Sequence, residues 1–564
     1  MRCQRSILWS LVTGVMVFAN VCNSATCDAG SSVPGACTVA APDPAAATDP
    51  AYLWISNDAD YGTGTVSKVA TQPFASGAKY RETARYASVT CQSDPVNGSK
   101  EGAVFSATPP ATLCTDGIHG CCSRDESVPG ANGLHEPVNL IQNRPVRTAV
   151  DVNGNAWVVN AANGDIWRQS SVTLIAASLD QCVERNGVPG IQTSSDVDAD
   201  GIIETDCNNN GVADDLADVN PSSPCLPGHP QEFFGLDDEC VLFTVNVGAV
   251  GDIARALALG KGATTAAPAD AWVGTYANGR FYRIDGSTGT IQSSVALISR
   301  AGMIAHPYGA VIDAYGILWT ENVNSDGNCT HGCLFYFDTA NTSSQDAVTP
   351  PLSLAGNGFN GIALDGYSAG GLVQQVWLGT YSNYGAYRYR PSRGGSFAQL
   401  RNGSWALGTV SGVSALGAPR GVSVDDRTPA FAWVAFDSGS VARIPADMPD
   451  GNNSYPAASH LFATNQNATV GTGVAGNRDV WAVNRGSSTL THFSVDAAGN
   501  VTNAANPDQL NLDDRYGAPE AFSCPHPMFG LCKPHPDTNS DFTGFAYLNF
   551  TLEPADRVFA NGFE

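Results

Sequence analysis

Charge is what this chain has least of. Asp, Glu, Lys and Arg make up 15% of its 564 residues, against about 25% in an average soluble protein. Positive charge is scarcer still, 29 Lys and Arg against 53 Asp and Glu, for a formal net charge of −24. A polyphosphate backbone would repel such a chain, which excludes nucleic acid as a partner and favours cations. Histidine is also rare, with nine in all, so there is little material for a His-rich catalytic centre. No apolar run reaches the ~20 residues of a membrane span. The longest, Ile7 to Val21, follows Arg2 and Arg5 and precedes the small residues Ser24 and Ala25. That pattern predicts a secretory signal peptide over residues 1–25, and hence a secreted, periplasmic or cell-surface location with no membrane span.

Gly, Ala, Ser, Thr and Asn fill the space that charge leaves, a composition suited to strands joined by many turns. There are 16 cysteines, and loss of Cys3 and Cys22 with the leader leaves 14. An even number in an exported chain predicts disulfides. Cys27 and Cys37, Cys225 and Cys240, Cys329 and Cys333, and Cys524 and Cys532 are neighbours in sequence, although spacing alone leaves the connectivity open.

Seven tryptophans measure out the chain. Each sits on a short apolar strand after an Asp- or Gly-containing turn: "YLWISN" (Trp54), "AVDVNGNAWVVN" (Trp157), "DAWVGTY" (Trp272), "AVIDAYGILWTEN" (Trp319), "VWLGTY" (Trp377), "FAWVAF" (Trp433) and "DVWAVN" (Trp481). A further strand usually follows, as in "GRFYRID" and "CLFYFD". The last four intervals between these tryptophans are 47, 58, 56 and 48 residues. A unit of three or four strands at that period is too small to bury its own faces, so it predicts blades stacked around an axis. The expectation is an all-β, seven-bladed propeller over residues 51–552, with six or eight blades as alternatives. Residues 26–50 read as a leader and 553–564 as a tail.

The first two intervals, 103 and 115 residues, are about double. Cysteine-rich insertions at about 85–135 and 180–240 account for them better than blades lacking tryptophan. The first repeat also lacks an inner strand, while a solitary strand-like segment, "TGFAYLNFTL", stands at 543–552. Pairing of the two would close the ring and remove an exposed edge.

The blade "HPYGAVIDAYGILWTENVNSDGNCTHGCLFYFD" resembles those of streptogramin-lyase-like and NHL-type propellers. The likeness extends more weakly over residues 50–72, 146–168 and 250–500. It implies the propeller fold and leaves activity open, because such propellers include lyases, hydrolases and binding scaffolds. The lyases use a metal with His and Glu near the channel. Only His306 and Glu321 can be matched to them here, and no second blade repeats the pair. A binding module is therefore expected, with a metal-dependent lyase or hydrolase as the alternative. The ending "DRVFANGFE" resembles a short terminal motif of exported proteins in some Gram-negative bacteria, which implies a sorting tag.

Against the scarcity of charge, one stretch is crowded with it: "SSDVDADGIIETDCNNNGVADDLADVN", residues 194–220. Calcium takes six to eight oxygens, and EF-hand-type loops supply them at alternate positions around a glycine. Asp196, Asp198, Asp200 and Glu204 occupy positions one, three, five and nine around Gly201. A second loop starts at Asp206, with Asn208, Asn210 and Asp214 around Gly211. Both depart at position twelve, Cys207 and Ala217, where an acid is usual. The pattern resembles thrombospondin type 3 and dockerin repeats, and it predicts calcium sites of the weak extracellular kind.

Three residues beyond each ruler tryptophan stand Asn57, Asn160, Thr275, Asn322, Thr380, Phe436 and Asn484. Equal spacing on equivalent strands puts them at one height. Asn160, Asn322 and Asn484, with His306 and Glu321, are thus candidates for a polar ring at a channel mouth, suited to a small polar ligand or a cell-surface glycan. The competing reading is that they are turn residues where Asn and Thr are favoured.

Overall fold

The computed structural model describes residues 52–88, 144–512 and 535–546, apart from short internal gaps. The leader, the insertion after residue 88, the second loop's Asn210 and the tail lie outside the described residues.

Each ruler tryptophan belongs to its own antiparallel sheet, and there are seven sheets. In five of them the tryptophan lies on the second of four strands in simple up-and-down order. Blade 2 is Pro145–Val150, Ala156–Asn160, Gln169–Ile175 and Val241–Val250. Blade 3 is Ala254–Leu259, Ala271–Thr275, Arg280–Ile284 and Ile291–Ala296. Blade 4 is Pro307–Ile312, Ile317–Asn322, Leu334–Asp338 and Gln345–Val348. Blade 6 is Pro419–Val424, Phe431–Phe436, Ser440–Pro445 and Leu461–Ala463, and blade 7 is Thr469–Val474, Val480–Asn484, Thr489–Phe493 and Asp508–Asn511. Blade 5, Phe359–Leu364, Val376–Thr380, Gly385–Arg390 and Ser404–Ser411, gains a fifth strand. That strand, Gly451–Pro456, comes from within blade 6 and pairs in parallel with Ser404–Ser411.

The tryptophans recur because each fills the gap between adjacent sheets, and all seven are at most 2% exposed. The acid of the recurring turn has a matching task. Asp313 accepts hydrogen bonds from the Tyr315 and Ile317 amides through Oδ1 and from the Trp319 indole through Oδ2 at 2.9 Å. Gly316 completes that turn at φ +78°, a conformation that costs a residue with a Cβ. Asp365 and Asp425 hold Trp377 and Trp433 in the same way, at 3.2 and 3.0 Å. One carboxylate therefore fixes both the turn and the rotamer of the largest core residue.

Blade 1 supplies Tyr52–Asn57, Thr65–Ala70 and Arg81–Ala87. A segment from the other end of the chain pairs along its inner edge. Trp54 N donates to Phe542 O, Asp537 N to Ser56 O and Asp58 N to His535 O, all at 2.9–3.0 Å. Residues 535–542 thus join the two ends of the chain in one blade; of the expected closing segment 543–552, residues 547–552 lie outside the described residues. Blade 1 abuts blade 2 directly, since Thr148 Oγ1 donates to Trp54 O and the Trp54 indole to Gly154 O. This leaves no place for an eighth blade between them.

The second insertion runs from the third to the fourth strand of blade 2 and lies along the outer strand of blade 1. Asp196 N donates to Thr83 O, and Arg85 N to Ser194 Oγ. Cys182–Cys240 closes its neck and Cys207–Cys225 staples its interior. Cys240 therefore pairs across the insertion and not with its sequence neighbour Cys225, because the neck brings the two ends of the excursion together. Cys329–Cys333 forms as a local loop in blade 4. No described helix is long and apolar enough to cross a membrane.

Candidate functional sites

The acidic insertion and the axial mouth are the two places where polar chemistry concentrates. In the insertion, carboxylate oxygens of Asp196, Asp198 and Glu232 lie within 4.8 Å of one another. Asp196 and Glu232 are buried, while Asp198 reaches solvent. Glu232 was not foreseen, because it lies beyond the Cys207–Cys225 loop and carries no local motif. It accepts hydrogen bonds from the Val197 and Asp198 amides through Oε1 and from the Glu204 amide through Oε2. It thus stands where the first loop lacks its usual twelfth-position acid. Burial pushes the Glu232 carboxyl up to about 8 and that of Asp196 up to about 6, the latter opposed by Arg81 at 3.4 Å and reinforced by Asp200 and Asp198. Asp196 Oδ1 and Glu204 Oε2 are buried with no hydrogen-bond partner. The other Glu204 oxygen meets His229 Nδ1 at 2.8 Å. Hard, convergent carboxylate oxygens with unmet valence are what a calcium ion requires, so these residues fit it.

The second loop is arranged differently. Asp214 Oδ2 accepts from Cys207 N, and the Asn208 amide donates to Ser223. Asp206 is buried, and among the described residues this loop shows no convergent acid cluster like that of the first.

The axial cavity has a volume of about 60 Å³. The first strands of blades 2–7 and residues 540–546 line it, with apolar walls that include Leu257, Ile312, Ile362 and Val424. At about 10–15 Å³ of such space per water it admits roughly four waters, so a sugar ring would have to sit at a mouth. Asn160, Asn322 and Asn484 do not line it. All three are at most 1% exposed, and their amides are spent within the wall. Asn160 donates to Ser171 and Thr173 of its own blade and to Ser88 O; Asn484 donates to Thr489 and Thr491; Asn322 Oδ1 accepts from His306 N. The equal spacing was real, but it puts these amides on second strands, facing third strands or loops.

The mouth itself is built from residues at the starts of first strands. In blades 2–7 the pairing of the first with the second strand slips at its opening residues, and such bulges re-aim side chains. The slip brings Arg255 and Tyr308 to a half-buried rim, with Arg147 and Glu321 buried beneath. His306 is half-buried nearby, its Nδ1 2.8 Å from Tyr276 O. Glu321 lies 4.0 Å from Arg147, and neither of its oxygens has a hydrogen-bond partner. Burial pushes its carboxyl up to about 8, against the pull of Arg147.

The chain matches no protein-family model, and no curated protein matches it in sequence. Solved structures do share its form. A catalytically inactive virginiamycin B lyase from Staphylococcus aureus with quinupristin is 11% identical, with 65% of this chain and 84% of that one covered and a TM-score of 0.37. The β-propeller domain of a Myceliophthora thermophila Cps50 (Swd1) is 10% identical, with 65% and 85% covered and a TM-score of 0.34. A calcium-binding regucalcin from Agrobacterium tumefaciens is 11% identical, with 62% and 81% covered and a TM-score of 0.30. At these identities and scores they carry no argument about chemistry, and the architecture rests on the seven sheets themselves.

Proposed function

We propose that this chain is an exported, calcium-stabilised β-propeller that acts as a binding module for a small polar ligand or a cell-surface glycan. The observation that carries the reading is the convergence of Asp196, Asp198 and Glu232, together with a buried Asp196 Oδ1 that has no hydrogen-bond partner. Carboxylates this close together, one with a buried oxygen left unpartnered, are compensated when a cation answers them. Asp196, Asp198, Asp200, Glu204 and Glu232 would hold the ion, which supplies positive charge that binds the insertion to blade 1 and takes no part in catalysis. A binding role, as opposed to a catalytic one, is supported by how the histidines near the blades are used. His492 is flanked by Asp479 and Asp508 inside blade 7, and His306 leans on a backbone carbonyl.

Calorimetric titration of the metal-stripped chain with calcium tests the first part. Saturable binding, absent in Asp196→Asn with Glu232→Gln, is expected; equal heats in both chains would refute it. A glycan array probed with the calcium-loaded chain tests the second part, and no specific retention would refute it.

A further inference from the structure

The axial mouth collects three features that the fold does not explain. The first is Glu321. It is fully buried, yet its two oxygens have no hydrogen-bond partner, and the nearest cation, Arg147, stands at 4.0 Å. That distance exceeds a hydrogen bond. The second is Gly309, which lines the axial cavity. A Cβ there would lie 2.8 Å from Glu321 Oε1 and 2.9 Å from Ile362 Cγ2, and 3.6 Å from Arg147 Nη2. The missing side chain is what keeps the Glu321 carboxyl in reach of the cavity.

The third is a pair of arginines on one ring. The guanidinium carbons of Arg147 and Arg255 lie 5.2 and 5.3 Å from the centroid of Tyr308. Stacking on an aromatic ring holds a guanidinium in place and leaves its N–H donors in their own plane. Arg147 Nη2 donates to Asn360 O. Among the described residues Arg255 has no ion pair within 4 Å. Glu321 faces Arg147, whereas Asp537 of the closing segment faces both arginines and shares its surroundings with Asp58 and Arg485. Asp58 is already met by Arg144 at 3.0 Å and Arg485 at 3.7 Å.

We propose that this mouth binds the carboxylate of a hydroxylated acid, the uronic-acid class of sugar. The carboxylate takes the donors of Arg255 and Arg147 at the rim and floor. A hydroxyl of the same molecule lies against Glu321 across the gap at Gly309. A hydroxyl both donates and accepts, so it satisfies that carboxyl in either protonation state. The narrow cavity admits the acid head group alone, which leaves the rest of a sugar or a longer glycan outside. The proposal rests on the binding-module reading and names its ligand class.

The test is calorimetric titration of the full, calcium-loaded chain with D-glucuronate, D-glucose and acetate. Glucose lacks the carboxylate and acetate lacks the hydroxyls, so each should bind at least about tenfold more weakly than glucuronate, as loss of one charge-assisted hydrogen bond implies. Arg255→Gln, at the rim, should weaken glucuronate by about tenfold or more without changing the melting temperature. Gly309→Ala, which closes the gap over Glu321, should abolish binding in a chain whose circular dichroism is unchanged. Glucose binding as tightly as glucuronate, glucuronate binding unaltered by both substitutions, or no glucuronate binding would each overturn the inference. If glucuronate fails while the array still shows specific glycan retention, the module reading stands without this ligand; if the array is also blank, both fail.

Discussion

Removing calcium should open the insertion and leave the blades intact, and the size of the effect can be worked out. Carboxylate oxygens of Asp196, Asp198 and Glu232 lie within 4.8 Å of one another. Two unit negative charges at that distance repel by about 3 kcal/mol at an effective dielectric of about 20. Burial, with the neighbouring acids adding to it, pushes Glu232 and Asp196 up to about 8 and 6, so without a cation the site holds protons. With sites of the ~10⁻⁴–10⁻³ M class and about 10 mM calcium, the open population should fall roughly 10- to 100-fold. Limited proteolysis across residues 190–220 reads that population when closing outpaces cleavage.

The pH dependence carries a sign that separates calcium from a bland acidic loop. In chelator, the folded pKa values lie above the unfolded ones. The stability they confer is complete below about pH 4, the unfolded carboxylate range, and is lost as pH rises towards 8. Cleavage should therefore accelerate from pH 5 to 8. In calcium the carboxylates are held ionised, so their folded pKa values fall below the unfolded ones and the slope reverses, with cleavage slowing as pH rises. Equal cleavage rates in calcium and chelator, or the same slope in both, would refute the reasoning.

Other outcomes follow from single groups. Asp313→Ala strands the Trp319 indole and two turn amides, and should cost about 2–3 kcal/mol in denaturant unfolding, with near-UV dichroism reporting the freed indole. Glu321 is fully buried and pushed up to about 8, so its contribution to stability falls between about pH 4.5 and 8, by on the order of 1 kcal/mol per unit. Glu321→Gln should flatten the pH profile of the melting temperature over that window, and an unchanged profile would count against the assignment. Truncation before residue 535 removes the three backbone hydrogen bonds that close blade 1 and should cost at least about 3 kcal/mol at about 1 kcal/mol each. An unchanged melting temperature would argue against closure by this segment.

The blades were legible because one large buried residue recurs in each copy, and in blades 4, 5 and 6 one turn acid holds its indole. Trp319 and Asp313 announce in sequence the hydrogen bond they make in space. The closing segment was harder to place, since residues 535–542 are held by backbone groups and by the Thr538 and Ser540 hydroxyls, none of which repeats elsewhere in the chain. The same division holds for the sites. Asp196 and Asp198 were visible through alternation around Gly201. Glu232 was not, because it arrives from across a disulfide loop. At the mouth, His306 and Glu321 were found through a likeness of pattern. Arg255 and Tyr308 depend on bulges at the openings of their strands, and a bulge changes which way a residue faces without changing its identity. The spaced amides Asn160, Asn322 and Asn484 mark a second periodicity that belongs to the interior of each wall.

Blade 5 borrows its outermost strand, Gly451–Pro456, from a detour that leaves blade 6 after its third strand and returns for its fourth. Elsewhere among blades 2–7 one unit can be copied or lost by cutting the chain between consecutive sheets. Here a cut between residues 411 and 419 would take the borrowed strand away from its sheet and leave a bare edge. The two units are therefore locked as a pair: a variant that gains or loses one blade at this boundary should be penalised, whereas duplicating both together should be tolerated. During synthesis the same detour makes blade 5 wait for its neighbour, so the edge of Ser404–Ser411 stays exposed until more than forty further residues have emerged.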